Sequence, residues 1–107
     1  MAVIGVDLDG VLCSEEKTFE KPLATLEPGA LEFMRAARMS GHTIVIWTAR
    51  GWEQYKATIF WLESNKIEFD QLIMGKPIFD VFIDDRAVAH TSWDRSLQEV
   101  RSRGVSV

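Results

Sequence analysis

The chain is poor in the residues that usually announce a specialised function. Among its 107 residues there is one cysteine, Cys13, so no internal disulfide can form, and a lone thiol fits a reducing compartment. Two histidines, His42 and His90, stand far from Cys13 and from each other in sequence, which excludes a zinc site at recognisable ligand spacing. No run of Lys or Arg exceeds two residues and the formal charge is −4, which argues against a dedicated nucleic-acid binder with its basic stripe. No apolar run approaches the roughly 18 residues needed to span a bilayer. A basic leader with a small-residue cleavage site is missing too, so the expectation is a cytoplasmic protein with no membrane partner. Repeats, linkers and low-complexity tracts are absent, and the length suits one domain, 1–107.

What remains is an alternation of apolar strands and amphipathic helices. Residues 2–8 (AVIGVDL) form a short β-branched run with the near-continuous apolarity of a strand covered on both faces. A polar stretch, 13–27, carries charges on both sides of Phe19 and reads as a loop or small flap. Pro28 and Gly29 open a helix in which Ala30, Leu31, Met34 and Ala37 recur at helical spacing, and Gly41 stops it. Residues 43–47 (TIVIW) are a second buried strand. Trp52, Tyr55, Ile59 and Leu62 then mark a helix over 52–64, with Phe60 and Trp61 off that stripe and assigned either to a broader core face or to a subunit contact. Residues 71–74 and 81–83 predict a third and a fourth strand. Thr91 and Asp94 resemble a capping box before a last helix over 92–103, and 105–107 a short edge strand. The rhythm predicts an α/β domain, a three-layer Rossmann-like fold with a mostly parallel central sheet.

Ligands in such folds bind beyond the carboxyl ends of the strands. Polar residues gather there: Asp7 and Asp9 after the first strand, Thr48 after the second, Lys76 after the third, and Asp84 and Asp85 after the fourth. An Asp-x-Asp-Gly alone is more often a turn, a Thr a cap, and a Lys before Pro a solvated charge. Their convergence is what points to chemistry. Crowded carboxylates raise one another's pKa values, and such a cluster persists best around a hard cation such as Mg²⁺. A carboxylate can attack phosphorus, with a lysine and a hydroxyl to hold the phosphoryl oxygens. A second acid, its pKa raised by neighbours, would protonate the leaving oxygen.

These residues resemble the four signature motifs of the haloacid dehalogenase superfamily, over roughly residues 3–86. Asp7-Leu8-Asp9-Gly10-Val11 is similar to the first motif, Thr48-Ala49-Arg50 to the second, Lys76 to the third and Asp84-Asp85 to the fourth. The resemblance implies a Mg²⁺-dependent phosphatase working through an aspartyl-phosphate. Asp7 would be nucleophile and metal ligand. Asp9 would be the general acid/base and give the metal its backbone carbonyl. Thr48 and Lys76, with Gly10, Ala49 and Arg50, would cradle the phosphate. Asp85 would reach the metal, with Asp84 supporting. The motifs also look like those of small phosphatases of capsular polysaccharide synthesis, implying a sugar phosphate substrate. Asp84-Asp85-Arg86 is similar as well to phosphatase domains acting on nucleic-acid 3′-phosphates. The gap after the first motif is too short for a cap domain, so the site is expected to be open. An open site implies a bulky substrate or a homo-oligomer in which a neighbouring subunit covers it. Arg50 and Trp52 are placed beside the predicted mouth. A receiver domain fits worse, because the acidic pair then comes on the first strand. A catalytically silent metal- or phosphate-binding subunit is the other alternative.

Overall fold

Alternating apolar residues on three short strands build the centre of the molecule. The structure, a computed structural model, describes residues 1–107, the side chain of Thr18 excepted. The strands are β1 (Val3–Val6), β2 (Thr43–Trp47) and β3 (Gln71–Ile73), parallel and in the order β1-β2-β3. Ile4 pairs with Ile44, Val6 with Ile46, and Ile46 in turn with Leu72. Because side chains alternate along a strand, this register puts one apolar row on a single face of the sheet. Ile44 and Ile46 are fully buried, and Val6 and Leu72 nearly so.

Three ten-residue helices complete the α/β fold: α1 (Ala30–Met39), α2 (Tyr55–Ser64) and α3 (Trp93–Ser102). The first buries Ala30, Phe33, Met34 and Ala37, the i, i+3, i+4, i+7 stripe of a core-facing helix. The C-terminal end of α1 is tied to the loop before β3, where Arg38 pairs with Glu68 and Asp70. In turn Asp70 accepts from the Ile44 backbone at 2.7 Å, which, ahead of Arg38, holds its carboxyl below the usual range. Among the described residues no helix is long and apolar enough to cross a membrane.

Several local expectations shift. The helix expected over 52–64 begins as a 3₁₀ turn, Trp52–Gln54, and its buried face is Thr58, Trp61 and Leu62. Trp61 therefore belongs to the core, its Nε1 donating to the Ala24 carbonyl, while Phe60 stands exposed. The last helix is capped by Ser92, whose hydroxyl accepts from Arg95 N, and not by Thr91. The polar stretch expected as a flap holds a 3₁₀ turn, Thr18–Leu23, and bridges from Cys13 to Asp9 and Leu26. Neither 81–83 nor 105–107 forms a strand. No strand of the sheet pairs with 81–83, and the rings of Phe79, just before it, and Phe82 stack at 5.5 Å. Among the described residues β1 therefore keeps one edge unpaired.

Gly29 shows how one residue sets the α1–α3 contact. It begins α1 with φ of 86°, and a Cβ there would lie 2.8 Å from Cβ of Trp93. Trp93 packs on Phe33 and donates from Nε1 to the Val11 carbonyl, so it cannot withdraw freely. Gly29→Ala is expected to cost about 2 kcal/mol through combined backbone strain and clash. Urea unfolding with a midpoint equal to wild type would show that the contact relaxes at no cost.

Candidate active site

Asp7 follows β1 directly, where the strand ends and its carboxylate leaves the sheet. Oδ1 accepts from the Leu8 backbone N–H at 2.8 Å, and Oδ2 lies 3.5 Å from Nζ of Lys76. The carboxylate stays accessible, with 36% of the side chain exposed, which leaves Oδ2 within reach of a ligand. Lys76 reaches it from the loop after β3, steered by the face of Trp47 at 5.2 Å and by its own N–H bonded to the Thr48 carbonyl. Two strand ends thus deliver an anion and a cation to one point.

Asp9 is held differently. Arg50 grips it with two parallel bonds, Nε to Oδ2 at 3.0 Å and Nη2 to Oδ1 at 2.8 Å, and Lys21 adds a third contact to Oδ1 at 3.2 Å. Burial pushes the Asp9 pKa up, but the Arg50 hydrogen bonds and the Arg50 and Lys21 charges outweigh it, so the net shift is downward. The expectation that neighbours raise this pKa is thereby reversed: in this arrangement Asp9 is a carboxylate. Arg50 itself is not a solvated residue at the mouth. It is buried, and its Nη1 donates to Thr58 Oγ1 at 3.0 Å. Cys13 lies beneath the same pair, and burial, with the Asp9 charge, pushes its thiol up to about 12. It is an inert core thiol at neutral pH.

Thr48 is fully buried, and its Oγ1 accepts from the Arg50 N–H at 3.2 Å. The hydroxyl shapes the turn after β2 and is not presented to solvent. Ala49 is exposed, and Gly10 sits at φ of 81°, a conformation that favours glycine, with open space around it. Asp84 shares with Asp7 and Lys76 a cavity of about 620 Å³, walled by β1, Trp47, Phe82 and Trp93. Asp85 is exposed and does not line it.

The four carboxylates are therefore not gathered into one cluster. Asp7 is compensated by Lys76, and Asp9 by Arg50 and Lys21, so charge repulsion alone does not call for a cation. No group of three His, Cys, Asp or Glu side chains able to hold a metal is assembled among the described residues. What the donor set offers Mg²⁺ is Asp7 and Asp84 opening on one cavity. This matches the one or two carboxylates that the ion takes beside waters and phosphate oxygens. His42 and His90 serve structure: His42 bridges the Ala2 N–H and the Ser106 carbonyl, and His90 meets Ser96 and Trp93.

Two residues of the site carried no local sequence signal. Lys21 lies in a stretch without periodicity, and only the 3₁₀ turn and its bond to the Glu16 carbonyl bring it back to Asp9. Thr58 reads as an ordinary helical polar residue. A clue was available, since it shares the Trp61–Leu62 face and a buried hydroxyl needs a partner.

No family model matches the chain, and no curated protein matches its sequence. Solved structures do. A crystallised structural-genomics target from Vibrio cholerae superposes with a TM-score of 0.76 at 26% identity, over 95% of both chains. A chain of the Pnkp1/Rnl/Hen1 RNA repair complex superposes with a TM-score of 0.61 at 18% identity, over 98% of this chain and 32% of that one. The second likeness is one of fold; in both cases the similarity runs across nearly the whole of the present chain, as expected of a single α/β unit.

Proposed function

We propose that the protein hydrolyses phosphate monoesters with the carboxylate of Asp7 as nucleophile, as a capless member of the haloacid dehalogenase superfamily. The observation that carries this reading is the meeting of Asp7 and Lys76 at the strand ends, 3.5 Å apart and open to the cavity. With Oδ1 held by the Leu8 N–H, Oδ2 is the free nucleophilic oxygen. It attacks phosphorus while the bond to the leaving oxygen breaks, and Lys76 balances charge on the transferred phosphoryl oxygens. Water then attacks the phosphorus of the aspartyl-phosphate, releasing phosphate and the Asp7 carboxylate.

Asp9 is the proton carrier in this scheme. Held as a carboxylate, it is ready to take the proton from the attacking water in the second step. Giving a proton to the leaving oxygen in the first step requires that Arg50 or Lys21 loosen its grip and that Asp9 first take up a proton from solvent, which the attacking water then restores. Mg²⁺ on Asp7, Asp84 and the Asp9 carbonyl would supply charge stabilisation to the phosphoryl oxygens. The resemblance further suggests a sugar phosphate as substrate.

Dialysis against EDTA is expected to abolish turnover of a generic aryl phosphate, and added Mg²⁺ to restore it. Full activity in the presence of chelator would remove the metal from the scheme while leaving the nucleophile to be tested separately.

A further inference from the structure

Beside the Asp7–Lys76 pair lies an aromatic surface that the proposed chemistry does not use. Trp52, in the 3₁₀ turn after β2, and Tyr55, at the start of α2, stack with ring centroids 5.6 Å apart and planes 29° from parallel. Both are accessible, Trp52 64% and Tyr55 38% exposed. The indole lies against the loop that carries Lys76: a Cβ placed on Gly75 would stand 4.0 Å from Trp52 Nε1. Backbone bonds from Gly75 N–H to the Arg50 carbonyl and from Lys76 N–H to the Thr48 carbonyl lock this loop to the turn that bears Trp52. The indole is therefore held one residue away from the lysine that faces the nucleophile.

A single exposed apolar side chain needs no explanation. Two stacked rings on a rigid turn beside a phosphate-binding lysine are a different matter. They form a pre-oriented flat surface against the loop that carries Lys76. We propose that Trp52, braced by Tyr55, is the leaving-group subsite, and that it takes the base of a nucleoside monophosphate. The inference rests on the phosphatase reading and names its substrate class. Every base has a π-face and stacks on an aromatic ring for about 1–3 kcal/mol, whereas a small polyol such as glycerol has no ring to lay on it. The net charge of −4 disfavours a long polyanion, so a mononucleotide fits better than a strand. A nucleotide is also a sugar phosphate, so this class meets the expectation drawn from the resemblance.

The test is steady-state kinetics of the full chain on adenosine 5′-monophosphate, a hexose phosphate and glycerol 2-phosphate. Trp52→Ala is expected to lower kcat/KM for the nucleotide relative to glycerol phosphate on the order of tenfold, mostly through KM. Trp52→Phe should recover most of that ratio, and Phe60→Ala, at an exposed position away from the site, should leave it unchanged. A ratio unmoved by Trp52→Ala, or a larger effect on the hexose phosphate, overturns the assignment. If the wild type turns over none of the three, the phosphatase reading falls, and calorimetric titration with adenosine 5′-monophosphate still decides the subsite. Binding weakened on the order of tenfold in Trp52→Ala supports it; equal binding, or no binding to the wild type, overturns it.

Discussion

Asp7→Asn is expected to lower turnover of an aryl phosphate by on the order of 10⁴-fold or more while the protein stays folded. Asparagine keeps the shape of the side chain and an oxygen to accept the Leu8 N–H, but its amide is not a nucleophile towards phosphorus. The only ion pair lost is the one to Lys76, which is part-exposed and 3.5 Å long, so its removal should cost under about 1 kcal/mol. Circular dichroism and the thermal midpoint should therefore stay near wild type. Loss of activity with loss of fold would say nothing about the nucleophile; retained activity in a folded variant would rule Asp7 out.

The largest stability effect is expected from Arg50→Ala. The guanidinium is buried with only 3% of its side chain exposed, and it makes the two bonds to Asp9 and the one to Thr58. Removing it leaves the Asp9 carboxylate with Lys21 alone and orphans a buried hydroxyl. Breaking one side of a buried pair costs about 3–5 kcal/mol, and the remaining Lys21 contact places the estimate at the lower end. In a domain of this size that corresponds to a fall in melting temperature of about 10–20 °C. Arg50→Lys keeps the charge and loses the fork, so it should fall between. The pH dependence has a definite sign. Because the folded pKa of Asp9 is depressed, its contribution is present above the ordinary carboxylate range and is lost as pH falls through the folded value. The gap between wild type and Arg50→Ala should therefore narrow below about pH 4. A gap under about 0.5 kcal/mol at neutral pH in urea titrations would mean that the pair is not structural.

Much of the fold was legible in local pattern. Residues 43–47 are a strand because four β-branched residues follow one another there, and 30–39 are a helix because apolar residues recur at its period. These signals lie within one turn or pleat, so no long-range knowledge is needed. The same locality explains where the reading failed. Val81-Phe82-Ile83 has the composition of a strand, but a strand exists only through its ladder, and no strand of the sheet pairs with this segment. Sequence leaves Trp61 between a core face and a subunit contact because it lies off the stripe of Trp52, Tyr55, Ile59 and Leu62. The buried face of α2 is rotated towards Thr58, whose partner Arg50 lies eight residues back.

For the candidate site, sequence by itself determined which chemical groups arrive at the carboxyl edge of the sheet: Asp7, Asp9, Thr48 and Lys76 are there because strand ends are set by local pattern. Only the tertiary structure decided how those groups divide. Asp7 opens to the cavity with Lys76 and Asp84, whereas Asp9 turns to Arg50 and Lys21, and Thr48 turns inward. The physical reason is that charge pairing depends on distances of a few ångströms between residues up to 69 positions apart in the chain (7 to 76). Spacing along the chain does not encode such distances, and packing does.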